Sequence, residues 1–197
     1  MKPMRPLCRS LVLLLAVAAC RKPDYFPLGV NQKWRFVGAG EFDAGGRAEY
    51  ESLAYAVRVT GSTAQAGPGM VYEVRFTRNG EPHMAFLFRK TKDAVYVMPA
   101  SHVDGLEPVL SWFKFLELPL RDEALWYGDA ERTVSFDVLA REDVAVPAGR
   151  FRNCFAIRVH APPPYRFTLW LAPDAGIVRW TRTFSSARSE VVERIRR

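Results

Sequence analysis

The sequence predicts a mostly β protein: a single antiparallel sheet, curved into a half-barrel or barrel-like shape, with at most one short helix near 104–118. Three observations predict it. First, apolar and polar residues alternate with period two, as where Tyr72, Val74 and Phe76 share one face and Glu73 and Arg75 the other, the pattern of antiparallel strands with one buried side. Second, turn pairs such as Asn79-Gly80 and Lys92-Asp93 divide the chain into strand-length pieces. Third, Pro-Leu followed by five residues and then Trp occurs twice, at Pro27-Leu28…Trp34 and at Pro119-Leu120…Trp126, each time opening a run of β-type segments. That repetition reads as an internal duplication or as two matched halves of one sheet.

The chain opens with Lys2, Arg5 and Arg9, then an unbroken apolar run from Leu11 to Ala19 that ends at Cys20. Nine apolar residues cannot cross a hydrocarbon core, which takes about 20 in a helix. A charged start, a short apolar stretch and small residues before a cut describe an export signal. Val17-Ala18-Ala19-Cys20 resembles the bacterial lipobox, which implies that the Cys20 thiol carries lipid and becomes the new amino terminus. One acyl chain anchors marginally and several anchor stably. Arg21 and Lys22, rather than an acidic residue, follow Cys20, and by resemblance to bacterial sorting rules this points to the outer membrane, periplasmic face. The expected organisation is a lipoprotein signal peptide over 1–19, a lipidated leader over 20–24 and a single β domain over 25–197.

After the leader, a turn through Gly29, Val30 and Asn31 precedes a strand from Lys33 to Val37. Further strands are expected at 55–60, 71–77, 84–89 and 94–98. Residues 104–118 stay ambiguous: Leu106, Val109, Leu110, Phe113 and Leu116 have helical spacing with Asp104 as a cap, yet the same residues suit an extended run across the sheet. Trp112, Phe113, Phe115 and Leu116 are therefore either core or one wall of a ligand groove. Beyond Trp126, strands are expected at 133–140, 154–160, 165–171, 177–184 and 190–195. Glu142 to Gly149 reads as a hairpin, with Pro147 at the second position of its turn, and Pro173-Asp174-Ala175-Gly176 as the next.

The formal charge of +7 falls to +4 once Lys2, Arg5 and Arg9 leave with the signal. Much of the remaining positive charge lies at Arg179, Arg182, Arg188, Arg194, Arg196 and Arg197. These alternate with Val178, Trp180, Val191 and Ile195, which reads as the solvated side of the last strands; no nucleic-acid partner is expected in that compartment. Cys8 leaves with the signal and Cys20 takes lipid, so Cys154 has no partner for an intramolecular disulfide and is read as a small apolar filler.

Three stretches resemble the signatures of a group of bacterial lipoproteins that includes the TapB-like proteins. They are Tyr25-Phe26-Pro27-Leu28 with Trp34, Val146-Pro147-Ala148-Gly149-Arg150-Phe151, and Trp170-Leu171-Ala172-Pro173-Asp174-Ala175-Gly176-Ile177-Val178. They match Y-F-P-L-x-x-G-x-x-W, P-A-G-x-F and W-x-A-P-G-x-G-x-V. The chain departs where Asn31 stands for a glycine in the first turn, where Glu123 holds that place in the second copy, and where Asp174 replaces a glycine. The resemblance implies an antiparallel β fold, a curved half-barrel, at the periplasmic side of a membrane, and implies no catalytic residue.

His83, His102 and His160 lie in separate segments without a second ligand at zinc spacing, and no nucleophile elbow, phosphate loop or paired metal carboxylates occur. No enzyme, cofactor, metal or catalytic residue is expected. The preferred reading is a lipid-anchored envelope lipoprotein acting as a non-enzymatic assembly or interaction partner in the periplasm. The alternative is a carrier that binds an apolar acyl or lipid ligand in a half-barrel groove walled by Trp112, Phe113, Phe115 and Leu116.

Overall fold

The computed structural model describes residues 22–43, 47–64, 69–100, 111–162, 166–185 and 188–196. Cys20, the signal and the 104–110 part of the ambiguous segment lie outside the described residues. The first half contributes β1 (Lys33–Asp43), β2 (Ala48–Ala64), β3 (Met70–Arg78), β4 (Glu81–Lys90), β5 (Ala94–Pro99) and β6 (Phe113–Glu117). The second contributes β7 (Leu125–Tyr127), β8 (Ser135–Val146), β9 (Gly149–His160), β10 (Arg166–Ala172), β11 (Gly176–Ser185) and β12 (Arg188–Ile195). The ambiguous segment takes the extended alternative where it is described, and no described residue is helical.

All twelve strands form one antiparallel sheet in the order β6-β5-β4-β3-β2-β1-β12-β11-β10-β9-β8-β7. Every neighbour follows in sequence except at the seam where β1 meets β12, in register from Arg35 opposite Ile195 to Phe42 opposite Arg188. The edges β6 and β7 approach each other: the Lys114 N–H donates to the Gly128 carbonyl at 2.8 Å. The sheet thus nearly closes into a barrel, which removes most of the exposed edge that an open sheet presents.

Each Pro-Leu-x5-Trp copy opens six strands. In both copies the fourth residue after proline takes a left-handed φ, 68° at Asn31 and 59° at Glu123. The turns match in their hydrogen bonds too, Gln32 N–H to Gly29 O at 3.0 Å and Ala124 N–H to Arg121 O at 3.4 Å. Asparagine adopts that φ readily and glutamate does so at some cost in strain, so the turn survives both departures from glycine. Trp126 then buries to 2% exposure and stacks on Phe136 at 5.2 Å, while Trp34 packs half-buried against the same core.

The leader is fastened rather than loose. Lys90 Nζ reaches both Asp24 carboxylate oxygens at 2.6 Å and the Phe26 carbonyl at 2.8 Å. Asp174, at φ 56°, accepts from the Asp24 N–H at 2.9 Å and returns its own N–H to the Asp24 carbonyl at 2.8 Å. The third departure from glycine thereby gains a carboxylate that pins the leader.

Two expected boundaries shift. The hairpin expected over 142–149 is present with Pro147 at the second position of its turn, but β8 and β9 run on to Val146 and from Gly149, past the expected strand ends at 140 and 154. The β1–β2 hairpin extends far past Val37, because backbone pairing carries Gly38, Ala39 and Gly40 without the β-branched residues that would have marked them.

Candidate functional site

Strands alternate in direction around the barrel, so its two ends gather different parts of the chain. One end holds the leader, the 91–93, 147–148 and 173–175 turns, and residues 118–124. The other holds the end of β3, the start of β4, the start of β10 and the end of β11. Phe26, Pro27 and Leu28 enter the first end and leave only a void of about 50 Å³ beside Trp34 and Phe36. Phe26 meets Phe88 at 5.1 Å and Phe115 at 5.5 Å between ring centroids, which closes the floor of the lumen.

Above that floor the inward side chains do not fill the barrel, and a cavity of about 250 Å³ remains toward the second end. Phe76, Phe86, Phe88 and Phe115 from the first half face Phe167 and Trp180 from the second, with Met84, Val97 and Ile177 between them. Phe76, Phe88, Ile177 and Trp180 wall both voids, so the two belong to one apolar interior. A register shift on β11 helps build it. Arg179 pairs with Trp170 and Ile177 with Leu171, which leaves Val178 as an extra residue and lets Ile177 and Trp180 both point inward.

Three lining side chains are polar, Tyr55, His83 and Arg182, and they converge at the second end. The Tyr55 and His83 rings lie 6.0 Å apart, and Arg182 Nη2 reaches the Tyr55 hydroxyl at 3.5 Å. Behind them sits Glu190, 3% exposed. It takes a 2.7 Å ion pair from Arg182 Nη2 and hydrogen bonds from Tyr55 Oη at 3.4 Å and Trp180 Nε1 at 3.3 Å. One buried carboxylate therefore holds three wall residues in place. Burial first, then the Glu190 charge, pushes the Tyr55 phenol above its ordinary value.

His83 is pushed below the usual imidazole value by burial first, then by the Arg78 and Arg182 guanidiniums, with Glu190 opposing. Because the folded value is depressed, neutral His83 supports the fold above the unfolded imidazole value of about 6.5. That support is lost as pH falls through the folded value. The groups facing it are Tyr55, Arg78, Arg182 and Glu190. The urea midpoint is expected to drop between pH 7 and pH 5, and His83→Phe to flatten that interval. Asp137, Asp129 and Glu73, also held low, act in the same direction only below about pH 4.

Of the four groove residues expected from sequence, Phe115 lines the cavity. Leu116 is fully buried in the core. Phe113 packs on Phe136 at 5.7 Å, and Trp112 lies under the Arg89 guanidinium at 4.7 Å. A wider concavity of about 620 Å³ lies at the leader end between Gly69, Tyr72, Arg89, Lys92 and Tyr96. It is larger but open, and its Lys90 ammonium is taken by Asp24.

Sequence spacing gave no sign of one further grouping. Asp137 and His160 meet at 2.7 Å with Ser135 opposite His160 in the β8–β9 register. This Ser-Asp-His set lies on the outward face, its imidazole shared with Arg158 Nε at 3.1 Å, and lines neither void. Cys154 has no accessible surface and burial pushes its thiol up to about 11, which leaves essentially no thiolate near neutral pH. Among the described residues no group of three or more His, Cys, Asp or Glu is placed to hold a metal. Of the late arginines, Arg179 lies over Trp170 at 5.0 Å, Arg182 pairs with Glu190, and Arg194 Nη1 donates to the Ala175 carbonyl at 2.6 Å.

No family model and no curated protein matches the sequence. Among solved structures, one from Parabacteroides distasonis, described as a lipoprotein, is 14% identical with a TM-score of 0.50, over 88% of this chain and 98% of its own. A Bacteroides fragilis protein described as exported, with a YmcC-like fold, is 16% identical with a TM-score of 0.46, over 89% and 100%. A DUF1329 family protein of Desulfovibrio piger is 8% identical with a TM-score of 0.23, over 96% and 91%. At these identities the likeness to the Parabacteroides protein is one of fold.

Proposed function

We propose that this chain is an exported lipoprotein of the TapB-like group, tethered through acylated Cys20 at the periplasmic face of the outer membrane, that holds the apolar part of a small ligand inside its barrel. The observation that carries the binding reading is the aromatic interior above the Phe26 floor. A space walled by Phe76, Phe88, Ile177 and Trp180 favours a carrier over an assembly partner with a filled core. Its volume lies at or below the roughly 300–1,000 Å³ usual for small-molecule sites, so it suits one acyl tail rather than a two-chain lipid. Neither void is walled by the Ser135-Asp137-His160 set or by Cys154, which supports binding without catalysis. The lipobox residues and the fold shared with a protein described as a lipoprotein support the tether.

The tether also orients the barrel. Cys20 precedes Lys22 by two residues, a reach of about 7 Å, so it stays with the leader end while the cavity lies toward the other. Ligand exchanges with the periplasm or a partner there. A second reading, docking to another envelope protein, draws on the outer face of the β1–β12 seam, where Val37 and Val191 are 38% and 41% exposed.

The test uses the chain without residues 1–19 and with Cys20→Ser, purified without detergent or added lipid; the described strands all lie after the removed segment. Mass spectrometry after a delipidating column is expected to recover near-stoichiometric acyl or similarly apolar species. An empty protein that also takes up no added single-chain amphiphile would overturn the carrier reading. For the tether, radiolabelled palmitate is expected to mark the wild type and not Cys20→Ser, which leaves the membrane fraction.

A further inference from the structure

We propose that the ligand is an uncharged single-chain amphiphile whose head oxygen meets His83 Nε2 and whose tail lies among Phe86, Phe88 and Phe115. This rests on the carrier reading and adds to it the chemistry of the head. Tyr55, His83 and Arg182 gather at one end of the cavity, and the other lining side chains are apolar. A site shaped this way matches a molecule with one polar end.

The charges at that end are already matched. The Arg182 guanidinium holds Glu190 at 2.7 Å, and Arg78, the other cation acting on His83, holds Glu51 at 2.6 Å. His83 itself, held below the usual imidazole value by burial, is neutral near neutral pH. A head of either sign would therefore bring a charge that the wall does not balance, and would give up its hydration to do so.

Hydrogen bonding is what that end still offers. The Tyr55 hydroxyl is engaged both ways, donating to Glu190 Oε2 at 3.4 Å and accepting from Arg182 Nη2 at 3.5 Å. His83 Nε2 is buried without a hydrogen-bond partner in the protein, a state that costs free energy until a ligand or water supplies one. Because Nε2 is itself buried, a head that reaches it leaves bulk water, which an uncharged group does at far lower cost than an ion. A hydroxyl serves this nitrogen in either tautomer, donating to a bare nitrogen or accepting from an N–H, which makes an alcohol the probe. The cavity of about 250 Å³ admits one tail behind that group.

The delipidated Cys20→Ser chain is titrated near neutral pH with octanol, octane, octanoate and octylammonium, followed by calorimetry and by the fluorescence of Trp180, which lines the cavity. Octanol is expected to bind about tenfold or more tighter than either ion. His83→Phe keeps a ring against Tyr55 and removes the nitrogen. It should lose about tenfold for octanol, the worth of one hydrogen bond, and hold octane within about twofold. His83→Gln, which offers both a donor and an acceptor, should recover part of the loss. Octane binding in each variant reports that the cavity is intact. Either ion binding within about twofold of octanol, or a His83→Phe loss equal for octanol and octane, would overturn the uncharged-head assignment and leave the carrier reading standing. If none of the four binds and the protein carries no native ligand, the carrier reading falls and this one with it.

Discussion

Replacing Glu190 by leucine is expected to lower the unfolding free energy by about 3 kcal/mol, the low end of the cost of removing one partner from a buried ion pair. The low end applies because the Arg182 side chain keeps 22% of its exposure and can turn part of its charge to water, whereas that of Glu190 keeps 2%. The Tyr55 hydroxyl at 3.4 Å and Trp180 Nε1 at 3.3 Å lose their acceptor at the same time. Both contacts are longer than the 2.7 Å ion pair, so the ion pair accounts for most of the loss. Glu190→Gln keeps an acceptor and removes the charge, and should fall between wild type and Glu190→Leu. The decisive measurement is the double variant Glu190→Leu with Arg182→Leu. With both charges gone the lumen is simply more apolar, and urea unfolding should return to within about 1 kcal/mol of wild type. Should the double variant be no more stable than Glu190→Leu alone, Glu190 is not acting through Arg182.

The same cluster shows which part of this molecule a sequence can disclose. Period-two patterning in Tyr72–Phe76, the Asn79-Gly80 turn and the twin Pro-Leu-x5-Trp copies are local, and all the strands they marked are present. What alternation leaves open is which strands become neighbours. The order in the sheet follows from pairing β1 with β12, residues more than a hundred positions apart, and no local pattern encodes that. The short edge strand β7, three residues, gave too little periodicity to read. The candidate site depends on the long-range pairing entirely. Glu190 lies opposite Gly40 on one side and Arg182 on the other, while Tyr55 and His83 come from β2 and β4. A signal was nonetheless present: Glu190 shares the inward parity of Val192, and a carboxylate on a strand's apolar face calls for a buried partner. The aromatic stretch near Phe115 drew attention through composition alone, and composition cannot separate a core phenylalanine from one that walls a cavity. Only Phe115, among the four residues singled out there, lines the interior space.

Gly38→Ala is expected to cost about 3 kcal/mol, the upper end of overpacking, because the new methyl has nowhere to go. A Cβ built on Gly38 would lie 2.0 Å from the Val191 carbonyl oxygen and 2.8 Å from the Val192 Cα. Both are backbone atoms of β12, so no rotamer change relieves the contact and the strand itself must move. That strand forms the seam joining the six-stranded halves, with Gly38 opposite Val192 and Gly40 opposite Glu190. Displacing β12 therefore disturbs the Glu190 cluster two residues away as well as the sheet. Gly40 on the same strand supplies the control. A Cβ there would meet the Leu53 side chain at 3.5 Å, an ordinary contact. Gly40→Ala should be neutral or stabilising by about 0.5 kcal/mol, since alanine has less backbone freedom to lose than glycine. Chemical denaturation of the two variants side by side separates the effects, because a general intolerance of larger residues in β1 would lower both midpoints equally. A difference below about 1 kcal/mol between them would mean that the β1–β12 seam can widen to admit a methyl group and does not set the closure of the barrel.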